Sequence, residues 1–203
     1  MNLRFLKFSE TELIDLLWAW AALSFAFAVF LGGGIDGFRE GFFVRFILAG
    51  VTVGVAFLFH EIAHKVVAQR YGHWAEFQKF DWGLVFAVGM SFFGFIFAAP
   101  GAVMIRGMVS GEQNGKISIA GPITNIVIAS IFFVLGIALT QILGELPSLL
   151  NQIIFYGFFI NAWLALFNMI PFGPLDGAKV MAWSLPAWLT VGGIAAFLVF
   201  FVA

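Results

Sequence analysis

FFVRFILAGVTVGVAFLFHEIAHKV, residues 42–66, decides how the chain is read. Up to Phe59 it carries a single charge, Arg45. A helix needs about 20 apolar residues to cross the roughly 30 Å hydrocarbon core of a bilayer, and this run is of that length. Two histidines, a glutamate and a lysine then crowd into His60–Lys65. Ionisable groups buried at the edge of hydrocarbon cost kilocalories each unless something compensates. The stretch therefore poses both a spanning helix and a site that accommodates its charges.

Residues four apart on a helix sit one turn above each other, with Cβ atoms about 5–6 Å apart. His60 and His64 thus present two imidazoles on one face, the bite that a Zn²⁺ ion with Zn–N distances of about 2.0–2.1 Å requires. Glu61 follows the first histidine, where its carboxylate can reach a water at the metal without ligating it. This is the H-E-x-x-H arrangement of zinc hydrolases. Random placement of the chain's three His and its Glu residues would produce it roughly 0.001 times. A pair of interfacial histidines with Glu61 bonded to Lys65 leaves three ionisable groups beside an apolar run without a reason. His73, in the polar stretch YGHWAEFQK, reads as an interfacial loop residue and not as a ligand.

Working outward, composition agrees with a membrane. Hydrophobic residues make up 62% of the chain and charged ones 10%, against about 45–50% and 25% in soluble domains. No soluble core of this size hides so much apolar surface, so part of the solvent is the lipid bilayer. A formal net charge of -1 without a basic face excludes nucleic acid as a partner. With no Cys there is neither a disulfide framework nor thiolate ligation, and any metal must use His and carboxylates. The opening MNLRFLKFSETELIDLL lacks a short apolar run ending in a small-residue cleavage site, so the first apolar segment reads as retained.

The remaining apolar segments are Leu13–Leu31, Trp82–Ala99, Ile117–Leu143, Ile153–Ile170 and Trp183–Ala203. Basic residues mark the cytoplasmic side. Arg4 and Lys7 precede the first span; Lys65, Arg70 and Lys79 follow the second; Arg106 and Lys116 follow Trp82–Ala99; Lys179 follows the PFGPLDG segment. The loop from Gly144 to Gln152 has Glu145 and no Lys or Arg, which places it outside. The loop Asp36–Arg45, with two Arg and two acids, is assigned outside against a mild charge conflict. The consistent picture is an α-helical polytopic membrane protein with about five to six transmembrane helices. Trp82–Ala99 dips in and returns, as a strand hairpin or a short helical hairpin. The expected organisation is one membrane-embedded domain over 1–203: a peripheral helix at 12–31, a catalytic core at 42–180 and a C-terminal helix at 183–203.

A catalytic zinc takes three protein ligands. Most acids sit in polar stretches, but Asp176 follows an apolar span directly, in NMIPFGPLDGAKV. Pro171 and Pro174 cannot continue a helix, and Gly173 and Gly177 permit unusual backbone angles. Broken backbone at membrane depth is tolerated only beside a cavity or inside protein. Locally, Asp176 could equally cap a short helix over Gly177–Trp183. Topology tips the balance: if Trp82–Ala99 does not cross, Asp176 and the His pair lie at one depth.

HEIAH, then GPITN at Gly121–Asn125, then FNMIPFGPLDG at Phe167–Gly177, resemble the three signatures of the site-2 protease family of intramembrane metalloproteases. The match covers about Phe42 to Lys179. The resemblance implies His60, His64 and Asp176 as zinc ligands, one Zn²⁺ per chain, and Glu61 as catalytic base. It also implies a role for Asn125 and Asn168 near the substrate or the oxyanion. The expected activity is hydrolysis of peptide bonds within or near the transmembrane segments of membrane-protein substrates. The expected setting is the plasma membrane of a prokaryote, with the active site near the cytoplasmic side. Asn161 is a weaker candidate for the same substrate role. The phenylalanine-rich stretch Phe80–Val109 is expected to offer a strand edge to an unwound substrate. The competing class is a membrane metal-binding or metal-transport protein, which would not need Glu61.

Overall fold

The computed structural model describes residues 6–35 and 41–202. Arg4 and the positions Asp36, Arg39 and Glu40, used above for topology, lie outside the described residues. Among the described residues, five helices are long and apolar enough to cross a membrane: Glu10–Leu31, Phe42–Arg70, Gly111–Leu143, Ser148–Asn168 and Leu185–Val202. Large apolar side chains such as Trp18, Phe43, Val134 and Phe201 are exposed along them, as a lipid solvent requires. The chain is an α-helical polytopic membrane protein.

It divides into two compact units. The first comprises residues up to Leu58 together with Glu76–Met104; the second comprises Phe59–Ala75 and everything from Ile105.

In the first unit, α1 (Glu10–Leu31) packs against the second span, which begins as α2 (Phe42–Ala49), passes through a π turn (Gly50–Gly54) and resumes as α3 (Val55–Arg70). The π turn loosens the helical ladder, and a tryptophan occupies the opening. Trp20 Nε1 donates to the Gly50 carbonyl at 3.0 Å. A Cβ at Gly54 would lie 2.4 Å from the same indole, so the close approach requires glycine.

Beyond α3 the stretch read as a polar loop is a strand, β1 (Trp74–Lys79). The signal was there: Ala75 and Phe77 are buried while Trp74 and Gln78 face out, the two-residue period of a half-buried strand. Trp82–Ala99 itself contains no strand and only one helix; the strand pairing lies just outside it. A helix, α4 (Asp81–Ser91), is followed by irregular chain and then by β2 (Gly101–Arg106), which pairs with β1. At about 1.5 Å per residue, the 11 residues of α4 span about 16 Å, half of what crossing needs.

The pairing is antiparallel, with Phe80 N–H donating to the Pro100 carbonyl at 3.0 Å. The backbone N–H and C=O groups of even-numbered residues therefore face the partner strand, and those of odd-numbered residues turn away from it. On β1 the outward N–H groups meet carboxylates from α1: Phe77 N–H donates to Glu12 Oε1 at 2.9 Å and Lys79 N–H to Asp15 Oδ2 at 3.2 Å. Glu12 is only 1% exposed. Its replacement by Ala strands a buried donor, at a cost of about 1–3 kcal/mol. Thermal unfolding in detergent should fall by several degrees for Glu12→Ala and less for Glu12→Gln, which keeps an accepting oxygen. An unchanged midpoint for Glu12→Ala would refute a stabilising role for the Glu12–Phe77 hydrogen bond.

In the second unit, α5 (Gly111–Ser118) leads into α6 (Ala120–Leu143) with a break at Ile119. Pro122 explains the break, because it has no N–H for the Ser118 carbonyl and its ring crowds that turn. α6 packs along α7 (Ser148–Asn168) through Ala129, Phe158 and Ala162. Irregular chain over Met169–Leu175 then leads to α8 (Asp176–Trp183) and α9 (Leu185–Phe197).

Candidate metal centre

Glu61 and both histidines lie on α3 within the second unit, and all three side chains are buried. The helical spacing sets the two imidazoles with ring centroids 4.6 Å apart and planes nearly perpendicular. Each ring is oriented from behind. His64 Nδ1 donates to the Ile117 carbonyl at 2.8 Å, at the turn loosened by Pro122. His60 Nδ1 lies 2.6 Å from Asn125 Oδ1 on α6. Both Nε2 atoms consequently face the same point.

Asp176 arrives there from the opposite side. It is the first residue of α8, so the short helix weighed above does exist, but its carboxylate turns to the histidines. Asp176 Oδ2 lies 3.2 Å from His60 Nε2 and 3.1 Å from His64 Nε2. The PFGPLDG break makes this possible. Gly173 takes φ 62°, in the left-handed region, and reverses the chain after α7. Gly177 is pressed so close to the preceding turn that a Cβ would stand 2.2 Å from the Met169 carbonyl oxygen. Trp188 Nε1 donates to that same oxygen at 2.7 Å, which pins the break from α9. Pro171 and Pro174 fall in the irregular chain, where no helical ladder is lost.

The donor set fits zinc. Two ligand atoms held about 2.0–2.1 Å from a tetrahedral ion stand roughly 3.3–3.4 Å apart, close to the separations from the carboxylate oxygen. One ligand atom from each of the three residues lies within 4.8 Å of the others. Among the described residues no other such trio is found. Lys179 Nζ, 3.6 Å from Asp176 Oδ1, engages the second carboxylate oxygen and leaves Oδ2 for the ion. Space is reserved as well. A Cβ at Gly121 would lie 2.5 Å from His60 Cε1 and 2.6 Å from both Nε2 atoms. Gly121 is helical and needs no special φ; the glycine is there for room.

The other sequence-derived candidates are placed as follows. Asn125 has both amide functions engaged inside the protein: Oδ1 toward His60, and Nδ2 donating to Asn161 Oδ1 at 2.9 Å. Asn168, at the end of α7, is half-buried, and its Nδ2 donates to the Leu164 carbonyl at 3.0 Å. His73 pairs with Gln113 at 3.2 Å and stays outside the trio. Lys65, counted above as a basic marker at the span's end, is 1% exposed and donates to the Ala75 carbonyl at 3.0 Å. Gln69 bonds the same oxygen at 3.2 Å, so the end of α3 grips the first residues of β1. The sequence marks Gly121 only as the opening of GPITN, without its role, and does not mark Ile117. The glycine of GPITN, a fixed distance before Asn125, was the available signal for the first.

No protein-family model and no solved structure matches the chain. Among curated proteins it is 39% identical over 188 residues to MJ0611 of Methanocaldococcus jannaschii, whose name describes it as a candidate zinc metalloprotease. That alignment covers 92% of this chain and 91% of MJ0611. YwhC of Bacillus subtilis, named in the same way, is 29% identical over 149 residues, 64% of this chain and 66% of YwhC. Rip3 of Mycobacterium tuberculosis, again so named, is 26% identical over 171 residues, which are 84% of this chain but 38% of Rip3. MJ0611, 39% identical along nearly its whole length, taken together with HEIAH and PFGPLDG converging here on the trio His60, His64 and Asp176, leaves a single assignment: the chain belongs to the site-2 protease family of zinc metalloproteases.

Proposed function

We propose that the protein cleaves peptide bonds within or beside the transmembrane segments of other membrane proteins. The observation that carries this reading is the convergence of His60, His64 and Asp176, with Glu61 beside them, in a chain whose long helices are built for lipid. The two histidines and Asp176 would hold a zinc ion, which when bound would supply Lewis acidity for the scissile carbonyl and for a water. Glu61, next to the trio on α3, takes the proton of the attacking water and later passes it to the leaving amine. Asn168 is the amide we assign to the developing oxyanion, since it is half-buried with a second N–H beyond the one given to Leu164, whereas Asn125 is wholly buried between His60 and Asn161. Loss of one such donor costs about 2.7–4 kcal/mol of transition-state stabilisation. The basic residues Arg70, Lys79, Arg106, Lys116 and Lys179 support a site toward the cytoplasmic face of a prokaryotic plasma membrane.

A transmembrane substrate hides its peptide bonds in its own helical ladder and must unwind before attack. β2 supports a route for this. α1 covers the outer side of β1, and β1 covers one side of β2, so an extended substrate would add along the far side of β2. Ile105 is an odd-numbered residue there and directs its N–H away from β1. Proline is tolerated at such an edge position but removes the donor. Ile105→Pro should therefore lower kcat/KM for a transmembrane peptide about tenfold or more, with zinc content unchanged. Equal kcat/KM would exclude the strand from substrate binding.

The test of the function itself is reconstitution of the purified protein in liposomes with a single-span peptide. Cleavage mapped by mass spectrometry to the membrane-embedded stretch, and stopped by a zinc chelator, is the expected result. Zinc-loaded protein that leaves the peptide intact but carries metal across the bilayer would establish the transport alternative instead.

A further inference from the structure

Behind His60 runs a line of polar groups that the proposed mechanism does not use. Asn125 is 0% exposed and Asn161 1%, so no solvent competes for them. We propose that Asn161 is a positioning residue of the metal centre, acting through Asn125 to hold His60 in the one tautomer that offers Nε2 to a metal ion. The proposal rests on the metal centre assigned above and goes beyond it. Asn161 touches none of the three ligands.

The direction of every bond in this line follows from its far end. The Gly157 carbonyl can only accept a hydrogen bond, so Asn161 must turn its NH₂ toward it, at 2.8 Å. Asn161 Oδ1 then faces α6 and accepts from Asn125 Nδ2 at 2.9 Å. Asn125 in turn presents Oδ1 to His60 Nδ1 at 2.6 Å. An amide oxygen also only accepts, so the ring proton sits on Nδ1. The Nε2 lone pair is left facing Asp176 and the space kept open by Gly121. Without Asn161, the Asn125 amide loses the partner that sets its orientation. Turned over, it would present NH₂ to Nδ1 and shift the ring proton to Nε2, where it blocks ligation. His64 needs no such line, because a backbone carbonyl, that of Ile117, fixes its tautomer directly. The asymmetry explains why a third helix contributes a buried amide behind one histidine only.

Outer partners of metal-ligating histidines typically change metal affinity by about 10–100-fold. Asn161 is one bond further out and belongs at the low end. The experiment measures the zinc Kd of the full chain in detergent by chelator competition, the visible spectrum of the Co²⁺-loaded protein, and the Tm of the metal-free form. Asn161→Ala should raise the zinc Kd about tenfold and alter the cobalt bands. Asn161→Asp should restore both, because a neutral carboxyl offers a donor to Gly157 and an acceptor to Asn125. In an Asn125→Ala background, Asn161→Ala should change the Kd no further. If Asn161→Ala does not fold, Asn161→Leu, which fills the space, is read in the same way. A Kd and cobalt spectrum equal to wild type, with only the metal-free Tm lowered, would reduce Asn161 to a packing residue and overturn the proposal. So would effects of Asn125 and Asn161 that multiply. Wild-type protein that binds no zinc would instead sink the metal centre itself.

Discussion

Glu61→Gln is expected to reduce kcat/KM for peptide cleavage by about 10²–10⁴-fold, the usual contribution of a positioned general base. That range corresponds to about 3–5 kcal/mol of transition-state stabilisation. Zinc should stay bound, because His60, His64 and Asp176 are the residues placed to hold it and the substitution changes none of them. The amide keeps the size and hydrogen-bonding reach of the carboxylate and loses only its basicity. The measurement pairs zinc content with cleavage of a model transmembrane peptide by the same preparation. Full activity would remove Glu61 from the chemistry. Loss of zinc along with activity would make it a ligand and force a different coordination set.

Gly121→Ala should produce the reverse separation, an intact fold with a failed metal site. The added methyl would sit 2.5–2.6 Å from His60 Cε1 and from both Nε2 atoms, nearly 1 Å inside ordinary contact. Either α6 retreats or the rings turn out of register with Asp176. Overpacking of this kind costs roughly 1–3 kcal/mol of stability, which the protein can survive. Coordination does not survive it, since a functional constellation tolerates about 0.5 Å of error. Zinc Kd should rise about 100-fold or more, the upper end of what changes around ligating histidines produce, and cleavage should fall with it. Zinc binding equal to wild type would show that the rings do not converge beneath Gly121.

What could be read from the sequence follows from the range of each signal. His60, Glu61 and His64 lie on one helical turn, so the helix period alone sets their geometry. Asp176 is 112 residues beyond His64, and no local pattern joins them. It was reached through topology, and the structure brings its carboxylate to 3.1 Å from His64. The spans were legible because twenty apolar residues have no other solvent. β1 was not, because six residues of mixed polarity resemble a loop unless the alternation of Ala75 and Phe77 is given weight. Lys65 misled for a related reason. A lysine at the end of a span usually marks the aqueous side, and only the folded chain shows that a backbone carbonyl from the following strand receives it. The Asn125–Asn161 line depends on which faces of α6 and α7 meet, which their uniform hydrophobicity does not reveal.

The cleavage and positioning roles above all depend on coordination of zinc by two imidazoles and one carboxylate. X-ray absorption at the zinc edge, on purified protein of known metal content, reads that coordination. One zinc per chain is expected, four-coordinate, with two imidazole nitrogens and oxygen donors at about 2.0–2.2 Å. His64→Ala should leave a spectrum with at most one imidazole. A spectrum without imidazole scattering, or a chain that cleaves peptide with no stoichiometric metal, would contradict it.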